Sequence, residues 1–304
     1  MSGSFLYIGT RTPFGRYNGA LALVRPDDLA ADTVAARSSK TPSLDPGDID
    51  EVICGDANAA GEDNRNVARM AVLLAGLPVS VPATTVNRLC GSSLDAAATA
   101  ARAVEIGDAE ITVAAGVESM TRPEWVLPKP SRAYLTAVLT MPGLILVNPK
   151  MPEEWTVSLG ECNEQLQEML GTSRQRQDAF AVRTPTPAAL APQQFGFAPV
   201  AAAEVALARA GIQWSDVAAV ELNGAFAVQA LACIDAWKVD PDIVNSRGGA
   251  IAIGHPLGAS WARLVATLAK TLTEERQRWG VAAICIGVGQ AIAMVLENCS
   301  GGSR

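Results

Sequence analysis

The chain has 304 residues, 49% of them hydrophobic and 18% charged, which suffices for a large apolar core without a disulfide or metal staple. Lysine and arginine number 24 against 31 acidic residues, a formal net charge of −7, so no global basic field exists to hold a nucleic-acid backbone or an anionic membrane. The N-terminal stretch MSGSFLYIGTRTPFGRYNG has no export-signal pattern, and the longest apolar run, 135–147, is broken by Pro142 and Gly143. Six cysteines (Cys54, Cys90, Cys162, Cys233, Cys285, Cys299) lie scattered without a CxxC pair, beside a single histidine. That pattern suggests neither zinc nor a disulfide framework, and fits a reduced, cytoplasmic compartment.

Apolar runs alternate with small-residue helical stretches along the first third. Residues 51–54, 84–86 and 110–115 read as strands, 66–75 and 91–106 as helices, a βαβ-type alternation. The middle, 121–196, holds Pro123, Pro128, Pro130, Pro142, Pro149, Pro152, Pro185, Pro187 and Pro192 around one convincing helix at 173–183, and reads as a loop-rich insertion. From Pro199 the alternation returns and the chain repeats itself. SLDPGDIDEVICGDANAAG, from Ser43, lines up with AGIQWSDVAAVELNGAFAVQ, from Ala210. VNRLCGSSLDAAATAARAV, from Val86, lines up with VNSRGGAIAIGHPLGASWARLVATLAKTL, from Val244, and EITVAAGVESM, from Glu110, with VAAICIGVGQAIAMV, from Val281. Three matches in one order indicate a duplication, with the division 1–121, 122–197 and 198–304.

Two similar α/β halves bring equivalent turns together at their boundary, and those turns carry Cys90 and His255. Cys90 precedes a helix start, where free backbone N–H groups and the helix dipole favour thiolate. A lone cysteine is more often a small buried hydrophobe, and a lone histidine more often structural. Cys285, in AAICIGVGQA, ends a strand and runs into Gly287 and Gly289, whose N–H groups can approach an oxyanion closely.

Together, NRLCGSSLDA, ELNGAFA, GGAIAIGHPLGAS and CIGVGQAIA resemble the motifs of the thiolase family, in order and in spacing within each half. RTPFGRYNGAL, AGEDNRNVARMAVLLAGLPVSVP and GVESMTRPEW are similar to members that act on 3-oxoadipyl-CoA. The resemblance implies a fold of two duplicated βαβαβ halves in an α/β/α/β/α arrangement. It implies Cys90 as the nucleophile that becomes acylated, His255 as its base and Cys285 as a second acid/base. Asn223 would hold a water in one oxyanion hole, and the N–H groups of Cys90 and Gly287 would form another. Coenzyme A is then a co-substrate, no metal or bound cofactor is needed, and the assembly is a homodimer or homotetramer. No residues binding the rest of the substrate are legible.

The chain departs from the family at one break. Between Gln194 and Pro199 it runs QFGFAP, where on the order of ninety residues are missing, including two sheet strands, so unpaired edges and exposed apolar surface are expected. Gly224, Ser93 and Trp261 replace the family's usual Glu, Gly and Gly. Trp261 is expected to overpack its helix start by roughly 1–3 kcal/mol, and Gly224 to weaken a helix if it lies in one. Two rivals follow: an impaired or inactive relative acting as a scaffold, and a condensing enzyme of the ketoacyl synthase type. The single histidine argues against the second.

Overall fold

The computed structural model describes residues 3–124, 148, 150–152, 157–183, 196–224 and 226–299. In the first half Asp45 accepts the Gly47 N–H and starts the 3-10 turn Pro46–Asp48, which leads into β1 (Glu51–Gly55). Asn66 caps α2 (Val67–Leu74) by accepting the Arg69 N–H at 3.3 Å. Then come β2 (Ala83–Val86), α3 (Ser92–Ile106) and β3 (Thr112–Gly116), giving a parallel sheet in the order β2-β1-β3.

The second half repeats this plan. A 3-10 turn at Trp214–Asp216 enters β4 (Val217–Asn223), α7 (Ala227–Trp237) follows, and a single parallel bridge, Val220 to Val244, stands where β2 stands in the first half. Asn245 completes that reduced strand with its side chain: its Oδ1 accepts the Leu222 N–H at 2.8 Å and its Nδ2 donates to the Leu222 carbonyl at 2.9 Å. α8 (Ala250–Ile253) and α9 (Ser260–Glu274) lead to β5 (Trp279–Ile286), parallel to β4, and a hairpin adds β6 (Gln290–Glu297) antiparallel to β5.

Five layers result. α1 (Pro26–Lys40) packs on α2, and α2 covers the outer face of the first sheet. α3 and α9 lie against each other between the two sheets, and α6 (Ala198–Ala210) and α7 cover the far side of the second. α9 takes the middle layer because Trp261, Leu264, Leu268 and Leu272 recur at helical spacing and are fully buried. β5 is covered on both faces, and so reads as a continuous apolar run rather than an alternation.

Several expectations need correction. The insertion contains a second helix, α4 (Leu159–Leu170), capped by Ser158 through the Glu161 N–H, beside α5 (Arg174–Arg183). The helix at 26–40 follows Arg25 and an acidic first turn and was not legible as a periodic apolar face. Of the insertion's prolines, Pro128, Pro130, Pro142, Pro149, Pro185, Pro187 and Pro192 lie outside the described residues. Gly224 lies between β4 and α7, not in a helix. Trp261, in the first turn of α9, is 0% exposed and lies in a core cluster with Cys90, Leu94 and Leu264.

The outer edge of β3 has no strand partner among the described residues. The segment 3–24 passes over it without regular structure, exposing Phe5, Leu6 and Tyr7 and enclosing a cavity of about 1130 Å³ against α3 and α9.

Candidate active site

The boundary between the halves is an interlock of short turns. α3 begins directly after Cys90, and α9 directly after the turn His255–Pro256–Leu257–Gly258. The two helix starts face each other, with Ser93 Oγ accepting the N–H groups of Trp261 and Ala262 at 3.2 Å each. Ser93, the family-atypical residue, therefore supplies an acceptor to the first turn of α9. Gly258 is wedged against the Val117 carbonyl and the backbone of Asp56, where a Cβ has no room.

Cys90 is buried in the turn between β2 and α3. Leu89 before it holds φ +48°, and Val288, in the turn between β5 and β6, holds φ +66°; for a β-branched residue that is an uncommon and strained conformation. These two turns abut, because a Cβ on Gly91 would collide with Ile286 and one on Gly287 would touch Leu89. Burial pushes the Cys90 thiol up, and the backbone N–H groups of Gly287 and Cys90 itself offset only part of this. The expectation that the helix start alone favours thiolate is thus reversed by desolvation. A base or a bound substrate must supply the difference.

Cys285, at the end of β5, is buried within reach of the Cys90 charge, and burial holds its thiol well up. Its sulfur lies 4.0 Å from Gln229 Oε1 on α7 and packs against Cys162 on α4, so the insertion closes the site from one side. Gln229 in turn donates to the Gly196 carbonyl at 2.5 Å.

His255 is half-buried on the facing turn. Its Nδ1 is 2.5 Å from Ser260 Oγ, and that hydroxyl donates to the Pro256 carbonyl at 2.9 Å. With the hydroxyl hydrogen so committed, Ser260 accepts from Nδ1–H, which leaves Nε2 as the basic nitrogen. Asn223 Nδ2, at the end of β4, lies 3.3 Å from Nδ1 and 3.4 Å from Nε2, while its buried Oδ1 has no hydrogen-bond partner among the described residues. Burial, with Arg263 adding to it, lowers the imidazole to about 4, so His255 is neutral at physiological pH. Behind it Arg263 and Glu221 form a buried pair at 3.6 Å, and burial pushes Glu221 up to about 7.

The sequence-derived residues thus fall into two groups. Cys90, Gly287 and Cys285 meet on one side; His255 and Asn223 meet on the other, and among the described residues no hydrogen bond joins Cys90 to His255. Ser260 and Gln229 escaped sequence reasoning. Ser260 was legible in GHPLGAS, five residues after the only histidine; Gln229 was not, because nothing in its helix marks it.

A fold of two repeated α/β halves, with a buried cysteine at one helix start and a histidine at its counterpart, points to a class of acyl-transferring enzymes. Comparison with known proteins places the chain within it. The family model described as "Thiolase, N-terminal domain" matches residues 6–200, and "Thiolase, C-terminal domain" matches 178–298. The chain belongs to the thiolase family, whose members are acyltransferases. It is 36% identical to a protein named beta-ketoadipyl-CoA thiolase from Acinetobacter baylyi, over 400 aligned positions covering 98% of this chain and 100% of that protein. It is 37% identical to a 3-oxoadipyl-CoA/3-oxo-5,6-dehydrosuberyl-CoA thiolase of Escherichia coli, again over 98% and 100%. A 3-ketoacyl-CoA thiolase of Aliivibrio fischeri is 32% identical over 376 positions. A chain of 304 residues set against 400 aligned positions lacks about a hundred of them, and the two family models meet at 178–200, around the QFGFAP junction.

Proposed function

We propose that this protein cleaves a 3-oxoacyl-CoA with coenzyme A, or runs the reverse condensation, through an acylated Cys90. The observation that carries the reading is the meeting of Cys90, Gly287 and Cys285 at a turn facing His255 and Asn223. His255 Nε2 takes the Cys90 proton, directly or as the substrate enters, and the thiolate adds to the C3 carbonyl of the substrate. The C2–C3 bond then breaks. Its electron pair goes to the enolate of acetyl-CoA, whose oxygen is met by Asn223 and His255, and Cys285 protonates C2. The acyl group remains on Cys90, its oxygen facing the N–H groups of Cys90 and Gly287. Coenzyme A, deprotonated at Cys285, attacks that thioester, and the released Cys90 thiolate recovers its proton from His255.

This chemistry needs donors aimed at oxygen and separate groups for protons, and no redox change. Coenzyme A is therefore a co-substrate, with no bound cofactor or metal. Names of the relatives support a 3-oxoadipyl-type acyl chain. Among the described residues no helix is long and apolar enough to cross a membrane, and no cysteine forms a disulfide. The resemblance to the family supports the cytoplasm and a homodimer or homotetramer as the working state. The test is to incubate the protein with 3-oxoadipyl-CoA and coenzyme A and separate the products. Equal amounts of succinyl-CoA and acetyl-CoA support the reading; a folded protein that leaves both this substrate and acetoacetyl-CoA intact supports the impaired relative instead.

A further inference from the structure

Glu118 lies just beyond β3, in the first half, and its carboxylate joins two backbone segments through three N–H groups. Oε2 accepts the N–H groups of Ala57 and Gly258 at 2.9 Å each, and Oε1 accepts the Asn58 N–H at 3.1 Å. Ala57 and Asn58 follow β1; Gly258 belongs to the histidine turn of the other half. A carboxylate holding N–H donors from two loops in a half-buried site is a strong and directional tie. Gly258 also presses on Val117 and Asp56 with no room for a Cβ, so the tie acts on a turn already in close contact.

From this geometry we propose that Glu118 is a positioning residue: it anchors the turn carrying His255 to the first half and thereby holds the imidazole in place against Ser260 and Asn223. Its effect on catalysis rests on the role given to His255 above. Asp56 is its companion. Asp56 accepts the N–H groups of Asn58 at 3.3 Å and Ala59 at 3.0 Å, and burial followed by the Glu118 charge raises it to about 6, so the two carboxyls share a proton in mild acid. The other titratable groups that face this pair are Asp63, Cys54 and Cys90, none of them cationic. Asp63 is itself pushed up to about 6 by burial and by Asp56. Holding a catalytic side chain through a turn is the kind of support that fixes reacting groups to within a fraction of an ångström.

Because the chain has one histidine, its Cε1–H signal in an untagged protein reports His255 alone. The experiment titrates that signal by NMR in the natural protein, in Glu118→Gln and in Asp56→Asn. Glu118→Gln replaces an acceptor by an amide donor facing backbone N–H groups; the His255 midpoint should move upward by at least one pH unit, with kcat down tenfold or more and KM within twofold. Asp56→Asn leaves the three N–H bonds of Glu118 in place and should keep the midpoint within half a unit. A folded Glu118→Gln protein with an unmoved midpoint overturns the proposal, whatever its activity, and so does an Asp56→Asn shift as large as that of Glu118→Gln. If Glu118→Gln does not fold, hydrogen exchange in the natural protein decides. Slow exchange at Ala57, Asn58 and Gly258 is expected, and exchange at the rate of an open loop overturns the tie. Should the midpoint shift as described in a protein without thiolysis activity, the tie stands and the functional reading fails.

Discussion

The hydroxyl of Ser260 stands 2.5 Å from Nδ1 of His255 and spends its own hydrogen on the Pro256 carbonyl. One helical start thereby sets the tautomer of the only histidine in the chain, because a donor-committed hydroxyl can only accept from the ring. Ser260→Ala should lower kcat/KM about tenfold, roughly 1.4 kcal/mol of transition-state stabilisation, with stability changed by less than about 1 kcal/mol. Steady-state thiolysis kinetics beside a thermal melt check this; unchanged kinetics would remove Ser260 from the site.

Trp261 calls for the opposite of what the family pattern suggests. Substituting the family's glycine at 261 empties a fully buried site among Leu94, Leu264 and Cys90. Trp261→Gly should therefore cost about 3–5 kcal/mol through lost burial and the cavity left behind. Urea denaturation measures it, and a stabilised variant would reinstate overpacking.

Arg263 and Glu221 are 4% and 3% exposed, and among the described residues Arg263 Nε and Nη2 have no hydrogen-bond partner. Arg263→Met leaves a buried carboxylate unpaired, and a loss of about 3–5 kcal/mol is expected; Arg263→Met with Glu221→Leu should recover most of it. Denaturant midpoints of the single and double variants give the answer, and additive losses would contradict it.

Asp63 gives a pH signature. Its folded-state carboxyl sits at about 6 against an ordinary 3.8, so the stability it contributes is complete below about pH 4 and is lost as pH rises through 6. Asn at this position mimics the protonated form. Asp63→Asn should be more stable than the natural protein by about 1–3 kcal/mol at pH 8, the difference vanishing below about pH 4. Thermal melts across that range test the sign.

The strands and helices around the site were legible because both halves follow the same local grammar: an Asp-containing turn, an apolar strand, a small-residue helix. β1, β2, α2 and α3 end within a residue or two of where periodicity puts them. α4 was hidden by neighbouring prolines, and its one capping serine carries little signal in isolation. The reduced strand at Val244 was legible only as a repeat of Val86, since a single bridge has no period. Cys90, His255, Cys285, Asn223 and Gly287 stand out in the sequence because they sit in motifs. Ser260 lies within the histidine motif itself, whereas Gln229, Glu118 and Asp56 act through distances across the chain, from residue 118 to 258 in the longest case, that no local pattern contains. The thiol of Cys90 shows the limit most plainly: its helix start was visible in the sequence, its burial was not, and burial sets the direction.

The most direct test of Cys90 as the acylated nucleophile is intact-protein mass spectrometry with peptide mapping after mixing with acetoacetyl-CoA. The natural protein should carry a single acetyl group, mapped to Cys90. Cys285→Ala should still be acetylated by acetyl-CoA, though more slowly, because coenzyme A can leave as a thiolate, but not by acetoacetyl-CoA, whose departing C2 requires a proton. A Cys90→Ala protein that retains full thiolysis, or a folded natural protein that gains no acetyl group from either compound, would contradict it.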